Sequence, residues 1–216
     1  MTSIDTVIIE AEDPAAAETF YATAFGLGDR LRVRGSDTPT SGFRGFTLSL
    51  TVARPATVDG FLDAAVDAGA TAVKPAAKSF WGYGGVVRAP DGTLWKVATS
   101  QKRDKGPATR DVDRFVLLLG VSDMTATKDF YVAHGLTVGK SYGRKYVEFA
   151  APSSPVQFAL YGRRALAKDA GVDPEGSGSH RMAVVGGDRG AFTDPDGFAW
   201  EEPGAEPGAE PGARPA

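Results

Sequence analysis

The sequence predicts an α+β protein built from two copies of a strand–helix–strands unit, and two observations carry that prediction. Residues 8–27 (IIEAEDPAAAETFYATAFGL) are echoed at 118–136 (LLGVSDMTATKDFYVAHGL). In that echo Asp13 matches Asp123 and Phe20-Tyr21 matches Phe130-Tyr131, both 110 residues on. The segment APDGTLWK at 89–96 is echoed by DPDGFAWE at 194–201, 105 residues on. Two start-and-stop signatures repeated in the same order mark an internal duplication.

The elements follow from local chemistry. Residues 6–11 are a short apolar, β-rich run and read as a strand. Asp13 is a helix N-cap with Pro14 at the first helical position, so 15–25 reads as a helix that stops at Gly26. The second copy has Ser122 or Asp123 as cap and Gly135 as stop. Residues 46–52 alternate like a strand; Val58, Phe61, Leu62, Ala65 and Val66 then share one helical face, closed by Gly69. Val86-Val87, a Pro-Asp-Gly turn and 94–98 form a hairpin. The last unit is short: 43 positions separate Phe46 from Ala89, but only 14 separate His180 from Asp194. Its helix has no room there, and residues 164–171 are expected to be a displaced helix covering the same face. This divides the chain into a first domain (1–100), a linker (101–111, QKRDKGPATRD), a second, shortened domain (112–202) and a disordered EPGA-rich tail (203–216).

Composition narrows the function. The 216 residues are 42% hydrophobic and 24% charged, enough for a core, and the net charge of -3 gives no basic footprint for nucleic acid. There is no cysteine, so disulfides, thiolate metal sites and a cysteine nucleophile are excluded. The opening MTSIDTVIIEAEDP has no leader pattern and no stretch approaches a membrane span, so a cytoplasmic protein without membrane partners is expected. No P-loop, GxSxG, Rossmann or EF-hand pattern is present.

The strand–Asp–helix–Phe-Tyr–Gly-Leu opening and the PDGxxW closing strand resemble the vicinal-oxygen-chelate superfamily, which includes glyoxalases, bleomycin-resistance proteins and extradiol dioxygenases. The resemblance covers about residues 4–202 and implies paired βαβββ modules curled into half-open barrels, here in tandem with the second half abridged. In metal-using relatives, the resemblance places a His at Thr6 and Val116, a second His at Phe46 and His180, and a Glu at Lys96 and Glu201. Thr6, Phe46 and Lys96 are a weak donor, an apolar ring and a cation, so the first half is expected to be metal-free. His180 and Glu201 are weak metal candidates; two ligands fall short of the usual three.

Ser79–Gly85 (SFWGYGG) falls where relatives place a loop at the cleft mouth, so Trp81 and Tyr83 are expected to stack on a planar ligand or to close the barrel end. Arg88 and Lys96 flank one hairpin and would hold an anionic group. Trp95 and Trp200 alternate with Lys96 and Glu201 and belong to the core. His134, at a helix end, is structural. The ligand-binding set is therefore Phe46, Trp81, Tyr83, Arg88 and Lys96. No catalytic residue can be named and no cofactor is expected. The expected function is metal-independent binding of a small hydrophobic or aromatic molecule, as in bleomycin-resistance-like sequestration, by a monomer or homodimer. The alternative is a lyase, isomerase or dioxygenase-type enzyme with a divalent ion at His180 and Glu201.

Overall fold

A computed structural model describes residues 3–187 and 190–203. The first helix forms as its caps require. Strand β1 (Ile4–Ala11) is followed by α1 (Pro14–Ala24), where the Asp13 carboxylate accepts from the Ala16 amide at 2.9 Å. Short β2 (Leu31–Gly35) and β3 (Thr40–Gly42) precede β4 (Phe46–Thr51) and α2 (Pro55–Asp67). Helix α2 has no side-chain cap of its own; Asp104 of the expected linker accepts from the Ala56 amide at 2.6 Å and satisfies one of its free donors. The hairpin strands are β5 (Thr71–Ser79), β6 (Gly82–Arg88) and β7 (Leu94–Thr99).

After the linker come β8 (Arg114–Val121) and α3 (Met124–Ala133). Asp123 is the α3 cap, accepting from the Thr125 and Ala126 amides. Then follow β9 (Thr137–Ser141), β10 (Tyr146–Ala150), β11 (Gln157–Gly162) and α4 (Arg163–Ala170), the helix expected at 164–171. The chain closes with β12 (Gly176–Gly178), β13 (Met182–Gly186), β14 (Phe192–Thr193) and β15 (Ala199–Glu201). The expected tail lies, after Pro203, outside the described residues. No described helix is long and apolar enough to cross a membrane.

The strands form an eight-stranded sheet in the order β5-β6-β7-β4-β8-β11-β10-β9, a five-stranded sheet in the order β14-β15-β13-β1-β2, and the small pair β12-β3. Each large sheet mixes strands from before and after the linker: β4 pairs antiparallel with β8, and β1 with β13. The linker therefore does not separate two sheets. In each unit the opening strand also pairs in parallel with a later one, as β1 with β2, β4 with β7, β8 with β11 and β13 with β15. The strands nearest the two ends of the described chain, β1–β2 and β13–β15, share the five-stranded sheet, and β4–β11 make the eight-stranded one.

The eight-stranded sheet has two buried faces. Phe46, Leu48, Leu50, Trp95, Val97, Phe115, Leu117 and Leu119 join α1, α2 and the five-stranded sheet in the main core. Their neighbours on the same strands point the other way, as a period of two requires. There Leu94 and Val86 join Leu166, Ala167 and Ala170 of α4 and Phe43 in a second, smaller core, with Leu118 packed against it. Helix α4 thus does not replace the missing helix of the last unit. It covers the face of the eight-stranded sheet opposite to α2.

The repeated motifs are tied together by hydrogen bonds. Tyr21 donates to Asp91 at 2.9 Å, and Tyr131 donates to Asp194 at 2.7 Å. The first links a helix to the Asp of a PDG turn, the second to the residue just before the other PDG turn. Trp95 and Trp200, as expected, are buried in the main core.

Candidate functional site

Cavities open along the second face of the eight-stranded sheet, and two of them border residues expected from the sequence. The larger, about 280 Å³, is bordered by Lys74, Lys78, Trp81, Val86, Lys96, Ala98 and Asp169. The smaller, about 120 Å³, is bordered by Phe43, Arg44, Phe46, Arg88, Leu94 and Glu175. Trp81 and Lys96 are thus brought together, and Arg88 is separated from them.

Two of the expected residues need correction. Phe46 touches the smaller cavity, but it is only 2% exposed and packs in the main core. Its neighbours Thr47 and Ser49 have the parity that faces α4, and Ser49 is the register partner of Lys96. An alignment one residue out turns a side chain to the opposite face. Tyr83 borders the larger cavity, yet its hydroxyl donates to Asp59 of α2 at 2.7 Å and its ring packs against the main core. That bond to a carboxylate, aided by burial, pushes the Tyr83 phenol up to about 12.

Trp81 is 84% exposed at the tip of the β5–β6 hairpin, beside Phe80 at 81%. It is not a plug. Gly82 holds the turn: its φ of +141° suits glycine, and a Cβ there would lie 2.0 Å from the Thr99 carbonyl oxygen. The indole is therefore presented on a constrained hairpin rather than on a loose loop.

Beneath it the cavity is basic. The Lys96 ammonium lies 2.6 Å from the Asp169 carboxylate of α4. Lys74 donates to the Asp169 carbonyl at 2.8 Å and approaches that of Lys168 at 3.5 Å, at the C-terminal end of α4, where a cation complements the helix dipole. Lys74, Lys78 and Asp169 were missed in the sequence. Asp169 meets a partner 73 residues away, which no local pattern reveals.

The two weak metal candidates do not share a partner. Both His180 ring nitrogens face backbone carbonyls, Nδ1 that of Arg44 at 2.5 Å and Nε2 that of Asp196 at 3.0 Å, and the ring stacks on Phe198. Glu201 accepts from Arg34 at 2.7 Å, and Arg34 also binds Glu10. Burial opposes the Arg34 cation, but these two carboxylates outweigh it and raise its pKa. Among the described residues no three metal-ligating side chains converge. Thr6 donates to the Asp29 carbonyl at 2.7 Å, and Lys96 would repel a cation. Among the described residues the donor set does not fit a divalent ion at the positions where the sequence resemblance places ligands.

No family model and no curated protein matches the sequence. Solved structures do match. Glyoxalase I from Zea mays superposes with a TM-score of 0.61 at 13% identity, over 93% of this chain and 91% of that one. The chain shares the fold of glyoxalase I. A proposed dioxygenase from Bacillus subtilis follows at 0.54 and 12%, over 90% of this chain and 71% of that one. The glyoxalase fold agrees with the superfamily resemblance carried by the sequence motifs.

Proposed function

We propose that this protein binds a small planar aromatic molecule without a metal, between the β5–β7 face of the eight-stranded sheet and α4. In this reading the sheet is the half-open barrel of the glyoxalase fold and the larger cavity is what α4 leaves of its cleft. One observation carries it: Trp81 stands in water at the mouth of a cavity whose wall holds Val86, Ala98 and three lysines. An exposed indole beside an exposed Phe80 is costly unless something covers it. Its position suits stacking on a planar ring.

The test is calorimetric and fluorescence titration against a panel of planar aromatic metabolites. For a ligand that binds the wild type, Trp81→Ala is expected to weaken affinity about fivefold, since an aromatic pair contributes about 1 kcal/mol beyond area burial. Unchanged affinity in Trp81→Ala, or no binding to the wild type, overturns the proposal. Prior treatment with a chelator is expected to leave both affinity and melting temperature unchanged; a loss of either would return the metal-dependent alternative.

A further inference from the structure

We infer that the site takes an anionic aromatic ligand, and that Asp169 of α4 stands in for the ligand's anionic group and competes with it. The inference rests on the proposed function and adds the ligand's charge and the means by which the site is held closed. Lys96 occupies the place on the last strand of its unit where the motif alignment puts a carboxylate, and its ammonium meets the Asp169 carboxylate at 2.6 Å. Lys74 holds the adjacent main-chain carbonyl of the same residue. Lys74 and Lys96 are thus satisfied by the end of one helix, and Asp169 lines the cavity where a bound molecule would lie.

Helix α4 is built to be released. Its eight residues are fewer than an isolated helix needs to persist in water, so its stability comes from packing. Only Leu166, Ala167 and Ala170 are buried, and no side chain caps its N-terminus. It is flanked by Gly162, beside which a Cβ would meet nothing within 4 Å, and by Gly171 at a φ of +81°. The Asp169 side chain is 40% exposed and that of Lys96 31%, so the ion pair is partly open to water and a ligand carboxylate can exchange with it. A benzoate-like molecule would place its ring toward Trp81 and its carboxylate on Lys96, with Lys78 on the same wall.

The experiment compares wild type, Asp169→Asn and Asp169→Ala, titrated calorimetrically with benzoate and with neutral benzyl alcohol. Hydrogen exchange of the 163–170 amides is followed with and without ligand. Both variants are expected to bind benzoate up to about fivefold tighter than wild type, the scale set by a partly exposed ion pair. Benzyl alcohol should bind more weakly than benzoate throughout and gain nothing from the substitutions. Benzoate should also speed exchange in α4 of the wild type. Equal benzoate affinity in all three proteins overturns the competition by Asp169 and leaves aromatic binding intact. Benzyl alcohol binding as tightly as benzoate overturns the anionic class alone. If neither compound binds any of the three, the proposed function fails with it. Asp169→Asn keeps the size of the side chain, so a folding defect confined to Asp169→Ala still leaves a decisive comparison.

Discussion

Trp95→Ala is expected to lower stability by about 3–5 kcal/mol and the melting temperature by roughly 10 °C, while Trp81→Ala changes stability by less than about 0.5 kcal/mol. Trp95 is fully buried, stacked on Phe25 with ring centroids 4.1 Å apart and on Phe115 at 5.8 Å. Its removal leaves a large cavity between the sheet and α1. Trp200 is as deeply buried, but its indole nitrogen donates to the Tyr131 hydroxyl at 3.1 Å, whereas among the described residues the Trp95 nitrogen has no hydrogen-bond partner. Deleting Trp95 therefore also removes an unsatisfied donor, so Trp200→Ala is expected to cost more. The order Trp200, Trp95, Trp81 would be measured by urea and thermal unfolding. A Trp95→Ala protein that melts with the wild type would mean that the two large sheets do not share one core.

Tyr131→Phe is expected to cost about 2–3 kcal/mol, more than Tyr21→Phe, although the two positions match in the repeat. Tyr131 donates to Asp194 and accepts from Trp200, so phenylalanine strands a carboxylate oxygen and an indole N–H together. Asp194 is only 4% exposed. Asp91, the partner of Tyr21, keeps a second donor in the Thr93 hydroxyl at 2.8 Å. Alkaline pH tests the same bonds without mutation. Burial first, and the neighbouring carboxylate second, push both phenols well above the usual value of 10. The native state then holds two protons that the unfolded chain releases near pH 10. Their contribution is complete below that pH and is lost as pH rises beyond it. Unfolding measured from pH 9 upward should show falling stability, with a shallower fall in each Tyr→Phe variant. An unchanged slope would show that neither phenol is held this way.

Much of the fold was legible because its signals are local. Asp13 and Asp123 announce helices through bonds to amides two and three residues on, and the PDG turns announce hairpins through their own backbone. The candidate site was less legible. Trp81, Tyr83 and Lys96 border one cavity and Phe46 and Arg88 another, while Phe46 and Tyr83 also pack at the main core. A strand pattern shows that neighbours alternate, and in a sheet buried on both sides it does not show which set faces which core.

The amino-acid sequence by itself determined the repeated motifs, the helix caps, the buried role of Trp95 and Trp200, and the absence of cysteine chemistry, because each depends on nearby residues or on composition. The tertiary structure alone decided that β1–β2 and β13–β15 share a sheet, and that α4 lies on the face opposite α2. It also decided that Asp169 meets Lys96 and that His180 and Glu201 bind different partners. Those outcomes depend on strand pairing and packing between segments scores of residues apart, where the free energy is set by which surfaces meet.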